Sequence, residues 1–211
     1  MLDVAIVDYG MGNLRSVHQA VRKVAPHASV SVTDDAKAIA AAGRVIFPGQ
    51  GAMPDCMREL DARGLRLTVL DAARNKPFLG ICIGLQMLFE HSTEGNVPGL
   101  GVLAGDVVRF ASGLKDAQGN KLKVPHMGWN RVHHGDHLLW DGIAQDERFY
   151  FVHSYYVQPK DVALVQGASE YPQSFTCAVA EGNLFAVQFH PEKSAAAGLR
   201  LLQNFINWNP V

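Results

Sequence analysis

Apolar and polar positions along the first third of the chain switch repeatedly between two periods. Residues 2–7 form a short apolar run of buried-strand type, closed by Asp8-Tyr-Gly-Met-Gly-Asn13. Leu14, Val17, Val21 and Val24 then recur at helical spacing, with Asn13 in the capping position and Pro26 as the stop. Val30 and Val32 predict a second strand, the alanine-rich 36–42 a second helix, and Arg44–Phe47 a third strand cut by Pro48-Gly-Gln-Gly51. Helical spacing returns over 56–74. Pro77-Phe-Leu-Gly-Ile81 is a strand running straight into Cys82, and 83–90 reads as helix. Strands separated by helices predict a mainly parallel sheet covered on both faces.

The second half changes character. Segments near 101–110, 127–134, 148–157, 162–168, 175–180 and 184–189 read as strands with turn residues between them, which predicts antiparallel additions. A last helix fits 194–207, with Leu199, Leu202, Phe205 and Ile206 on one side. The change near residue 110 is one of topology and not of linker composition, so residues 1–211 are expected to form a single domain.

A chain of 211 residues, 48% of them hydrophobic, suits one domain with a sizeable core. The formal net charge of −1, with scattered lysines and arginines, argues against nucleic acid or anionic membrane as a partner. The N-terminus has no basic segment followed by a long apolar one, and no apolar run reaches the roughly 18 residues a bilayer span needs. Cys56, Cys82 and Cys177 are odd in number and irregular in spacing. They point away from a disulfide framework and toward a reducing cytoplasm.

Gly80-Ile-Cys82-Ile-Gly84 is the strongest local signal for chemistry. Small residues on each side of a nucleophile allow a tight strand-to-helix turn that lifts the side chain above the sheet edge. The free N–H groups of the following helix favour a thiolate and can stabilise an oxyanion. A buried, inert cysteine is the plain alternative, so the motif needs a base. His190-Pro-Glu192 supplies one at the end of the apolar run 184–189, with a carboxylate placed to fix the imidazole. Pro48-Gly-Gln-Gly51 can bring backbone N–H groups close to a substrate and, with the amide of Ile83, form an oxyanion hole.

Other readings fail on their missing parts. His-x-Glu opens a zinc deaminase signature, but no Cys-x-x-Cys follows. Gly10-Met-Gly12 lacks the third glycine of a dinucleotide fingerprint, where Arg15 stands. His133-His134-Gly-Asp-His137 reads as a polar turn and not as a metal site. Neither a metal nor a cofactor is expected.

Together these pieces resemble the class I, or triad, glutamine amidotransferases, over nearly the whole length from Asp8 onward. Residues 8–14, 80–86, 125–130, 151–155 and 188–192 carry the match. Pro125-His-Met-Gly-Trp-Asn130 narrows it to the branch that supplies ammonia to a separate (β/α)₈ cyclase subunit, which makes imidazole glycerol phosphate in histidine biosynthesis. The resemblance implies a flavodoxin-like mixed, mainly parallel sheet, glutamine as substrate, and a heterodimer. It also implies Cys82, His190 and Glu192 as the triad and the backbone amides of Gly51 and Ile83 as oxyanion donors. Gln86, Glu94, Ser154 and Tyr155 would hold the glutamine amino and carboxylate groups. Met127, Trp129 and Asn130 would meet the partner, although Trp129 packed internally is the alternative. Gln50 stands where the resemblance leads one to expect a small apolar residue. The competing functions are a glutaminase subunit serving purine, pyridoxal phosphate or anthranilate synthesis, a cysteine peptidase, and a catalytically silent binding scaffold.

Overall fold

The computed structural model describes residues 2–116 and 118–210. Its first part runs β1 (Val4–Val7), α1 (Leu14–Val24), β2 (Val30–Thr33), α2 (Ala36–Ala41), β3 (Arg44–Gly49), α3 (Met53–Ala62), α4 (Arg66–Asn75), β4 (Phe78–Cys82) and α5 (Ile83–Gln86). Then come β5 (Phe89–Ser92), β6 (Val97–Pro98), β7 (Leu103–Arg109), β8 (His126–His134), β9 (Glu147–His153) and β10 (Tyr155–Pro159). β11 (Val165–Glu170), β12 (Ser174–Glu181), β13 (Leu184–Val187) and α6 (Ala195–Asn207) complete the order.

One continuous sheet takes up every strand, in the order β2-β1-β3-β4-β13-β12-β10-β7-β5-β6, with β11, β8 and β9 branching from β12. The pairs from β2 through β13 are all parallel. Beyond β13 the pairings are antiparallel, save β5 with β7. β1, β4 and β13 are buried at every position, so both faces of the parallel part are covered. This is the α/β fold, with antiparallel strands in the second half, that the periodicity predicts.

Several expected boundaries move. The helical stretch 56–74 is two helices, divided at Gly64, whose φ of +67° turns the chain. β3 runs through Pro48 and Gly49 instead of ending before them, because both pair with β4. The segment 83–90 is a single helical turn followed by β5; Leu88, Phe89 and their neighbours are apolar on all sides and carry no usable period. Residues 148–157 are two strands broken at Ser154, and 162–164 form a short 3₁₀ turn before β11. Asn13 occupies the cap position of α1 without a capping side-chain hydrogen bond. Among the described residues no helix is long and apolar enough to cross a membrane.

The tightest constraint is at the β4–α5 junction. A Cβ on Gly84 would fall on the backbone carbonyl oxygen of Phe47, so α5 can lie across β3 only with glycine there. Gly84→Ala is therefore expected to lower stability by about 3 kcal/mol or more, at the severe end for one methyl group. Chemical denaturation followed by circular dichroism measures it.

Candidate active site

The carboxyl ends of β3, β4 and β13 lie side by side, the place where parallel α/β sheets bind ligands. Register fixes what meets there. Gly49 pairs with Cys82, so Gln50 and Gly51 leave the sheet directly beside the thiol. Val187 pairs with Ile81, which brings the segment after β13 alongside. His190 is not at the strand end itself but three residues beyond it, in the lead to a 3₁₀ turn.

Cys82 sits at φ +57°, ψ −110°, a conformation that few non-glycine residues adopt and that marks the sharp turn expected of a nucleophile elbow. Its Sγ opens into a cavity of about 320 Å³ lined by Gly51, Ile83, Gln86, Glu94, Ser154, Tyr155 and His190, among others. Every catalytic, oxyanion and substrate-holding residue singled out in the sequence lines it, except Glu192, which stands behind His190. Gly51 has φ +105°, accessible to glycine at no cost. The carbonyl of Gln50 accepts a hydrogen bond from Cys56 Sγ at 3.4 Å. Because α5 is one turn and not two, its dipole is short, but the free N–H groups of its first residues remain.

His190 Nδ1 meets Glu192 Oε1 at 2.9 Å, and the two side chains are only 5% and 1% exposed. The Nε2 of His190 is buried with no nitrogen or oxygen partner. Burial alone pulls the imidazolium down, but the Cys82 sulfur and the Glu192 carboxylate outweigh it and carry His190 up to about 10. Burial pushes the Cys56 thiol up to about 11 and that of Cys177 higher still. Those two remain inert thiols at neutral pH.

Gln86 is almost wholly buried. Its Nε2 donates to the Tyr155 carbonyl at 3.1 Å and to Gln188 Oε1 at 3.0 Å, while its Oε1 has no partner. Both donor hydrogens are thus used within the protein, and its Oε1 is a buried acceptor without a protein partner. Glu94 is tied to the start of α3, its Oε2 accepting from the Met53 N–H at 2.8 Å. Gln188, unassigned in the sequence reading, is fully buried and directs Nε2 at Cys82 Sγ across 3.7 Å. A polar residue in an otherwise apolar run, Leu184–Phe189, was the available signal.

Met127 and Trp129 lie on β8, 62% and 50% exposed. Trp129 does not pack internally; it meets the edge of Tyr150 at 6.1 Å. Asn130 is half-buried and holds the Glu170 carbonyl at 2.8 Å. His133, His134 and His137 lie away from this cavity; His134 stacks on Trp140 and His137 caps a 3₁₀ turn.

If the Cys82 thiolate holds the proton on His190, removing the sulfur must release it. In Cys82→Ala, burial works against Glu192 alone, and His190 should titrate well below 10, toward or under the ordinary histidine value of about 6.5. NMR titration of ring-labelled histidines in both proteins reads this. An unchanged His190 titration would mean the thiol and imidazole are not coupled.

Comparison with known proteins supports the same assignment. Residues 5–208 match the family model "Glutamine amidotransferase class-I". The chain is 66% identical over 212 residues to "Imidazole glycerol phosphate synthase subunit HisH" of Aromatoleum aromaticum, and 66% over 213 residues to that of Nitrosospira multiformis, with complete coverage of both chains in each case. Among solved structures, PurLQS from Thermotoga maritima superposes with a TM-score of 0.70 at 19% identity, covering 98% of each chain. A structure described as a glutamine amidotransferase gives 0.73 at 17% identity, covering 97% of each. At such identities these two speak for the fold alone. The chain belongs to the class-I glutamine amidotransferases and, within them, to the HisH subunits of imidazole glycerol phosphate synthase.

Proposed function

We propose that this chain, acting as one domain, hydrolyses the side-chain amide of glutamine and delivers the ammonia to a (β/α)₈ cyclase partner, in the reducing cytoplasm that its three free cysteines fit. The observation that carries the chemistry is the buried line Cys82–His190–Glu192 opening on a cavity lined by Gln86 and Glu94. Cys82 attacks the amide carbon, and the N–H groups of Gly51 and Ile83 take the developing negative charge. His190 gives its proton to the departing nitrogen, then takes one from water as that water attacks the thioester. Glu192 holds the imidazole through Nδ1 and stabilises its cation. Glutamine's ammonium would be received by Gln86 Oε1 and Glu94, and its carboxylate by N–H and O–H groups near Ser154 and Tyr155. The names of the relatives support imidazole glycerol phosphate synthesis as the destination of the ammonia.

The exposed Met127 and Trp129 give β8 an apolar strip suited to a partner surface, with Asn130 on the opposite face of the strand behind them. Ammonia diffuses, so a glutaminase firing without an acceptor would waste substrate. The loop at 48–51 is a suitable control point: rotation of one peptide there removes an oxyanion donor, a loss of about 10²–10³ in turnover.

Cys82→Ala should abolish ammonia release from glutamine while Cys56→Ala and Cys177→Ala keep most of it, and the synthase complex of Cys82→Ala should still run on added ammonium salts. Glutaminase turnover surviving in Cys82→Ala would sink the assignment. His190→Asn should lose about 10²–10⁴ in turnover, the range for a positioned acid–base group, and Glu192→Gln less, since it orients without transferring the proton. Wild-type rates for both would refute the triad.

Partner control predicts weak ammonia release by the lone chain and a rise of about 10² or more when the cyclase subunit and its nucleotide ligand are added. Steady-state assays with and without them decide it. A lone chain already running at the rate of the liganded complex would end the gating idea.

A further inference from the structure

Two buried histidines have no part in the chemistry above, and their hydrogen bonds run in one direction. His153 Nδ1 lies 2.8 Å from the Tyr155 carbonyl oxygen and must carry a hydrogen to bond it. In the neutral ring Nε2 is then an acceptor, and it lies 2.9 Å from His126 Nδ1, which must be the donor. That leaves His126 Nε2 as acceptor for the Asn130 amide N–H at 3.2 Å. Every ring nitrogen is matched only if both imidazoles are neutral. Burial holds His126 down at about 4 and His153 at about 3, the latter also opposed by nearby His190. The rings cannot swing. His126 is stacked between Tyr171 at 4.1 Å and Phe151 at 5.0 Å, and His153 is wedged by Phe110 at 5.2 Å and Phe175 at 5.3 Å.

His153 itself lines the cavity, and the Tyr155 carbonyl joins the pair to Gln86. It accepts from His153 on one side and from Gln86 Nε2 on the other. Gln86 in turn donates to Gln188, whose own Nε2 faces Cys82 Sγ. A carbonyl held by two donors cannot rotate to suit one of them, so the stacked histidines fix the direction in which Gln86 presents its free oxygen.

We infer that His126 and His153 are positioning residues: a chain of two neutral imidazoles that sets the Tyr155 carbonyl and, through it, the Gln86 acceptor for the amino group of the substrate. The inference rests on the glutaminase reading above. Neither histidine moves a proton in the reaction.

The test uses the complex of this chain with its synthase partner. His153→Phe keeps an aromatic ring among Phe110, Phe151 and Phe175 but loses both hydrogen bonds; His153→Asn loses the ring but can donate to the Tyr155 carbonyl. Misplacing a group that holds substrate equally in ground and transition states raises KM more than it lowers kcat. His153→Phe should raise KM for glutamine about tenfold, the effect of one charge-assisted hydrogen bond, with kcat within about threefold. His126→Phe should raise KM less, because the bond to Tyr155 remains. His153→Asn should recover most of the parental KM even with a lower Tm. Alkylation of Cys82 by iodoacetamide, which does not use the amino-group clamp, should keep the parental rate in His153→Phe.

A purely structural role predicts the reverse: KM following Tm across the variants, with no rescue by Asn. That result, or a parental KM in a folded His153→Phe complex, overturns the inference. A parental complex that releases no ammonia from glutamine would instead overturn the glutaminase reading itself, so the two failures are separable.

Discussion

The contact of Gly84 with the backbone of Phe47 is the constraint from which the site follows. It lets the turn after β4 lie across β3, and Cys82 at the start of that turn has φ +57°. A non-glycine residue held there costs of order 1–3 kcal/mol, which persists only where the surroundings over-determine it. Here they do: β4 is buried at every position and paired on both sides by parallel strands. The reward is geometric. The sulfur projects beyond the sheet edge, the first N–H groups of α5 are free, and the chain leaving β3 passes beside them. A side chain at position 84 would collide with the Phe47 carbonyl at the point where all three features meet.

The same burial acts on three imidazoles in opposite senses, and their partners decide which. Desolvation pulls His126, His153 and His190 toward the neutral form. His190 escapes because a carboxylate sits on one nitrogen and a sulfur faces the other. His153 and His126 have only carbonyl, amide and imidazole partners, each satisfied by a neutral ring. Neutral His126 and His153 therefore add no positive charge beside His190. A charged His153 would oppose the protonation of His190.

What was legible in the sequence were features enforced by repetition or by a motif. β1, β3, β4 and β13 are apolar at nearly every position because both faces are covered, and short apolar runs between helices have few other uses. The elbow and His190-Pro-Glu192 were legible because each packs several unusual requirements into a few residues. The segment after Gln86 was not. Met87-Leu-Phe89 is buried whichever way the backbone turns, and only pairing with strands that come later, β6 and β7, makes the segment from Phe89 into β5. Gln188 and His153 escaped assignment for a related reason. Their significance lies in partners more than sixty residues away or across a strand pair, Gln86, Cys82 and His126, and no local pattern encodes those meetings.

The two halves of the sheet divide the work. The parallel half brings Cys82, Gly51, Ile83 and the approach of His190 together at adjoining strand ends, where register leaves little freedom: a slip of one residue would reverse every side chain. The antiparallel half supplies Ser154, Tyr155 and the two buried histidines, and carries the exposed strip of Met127 and Trp129 on the strand that begins with His126. β8 thus touches both worlds. Its inward residue His126 belongs to the network that ends at Gln86, while its outward neighbours meet solvent. The strip and the aromatic stack around His126 therefore share one strand. Asn130, bonded at once to His126 and to the Glu170 carbonyl, ties the strip to β11. The antiparallel branch thus carries, on one strand, an exposed apolar strip and the inward start of a hydrogen-bond network that runs through Gln86 and Gln188 to Cys82.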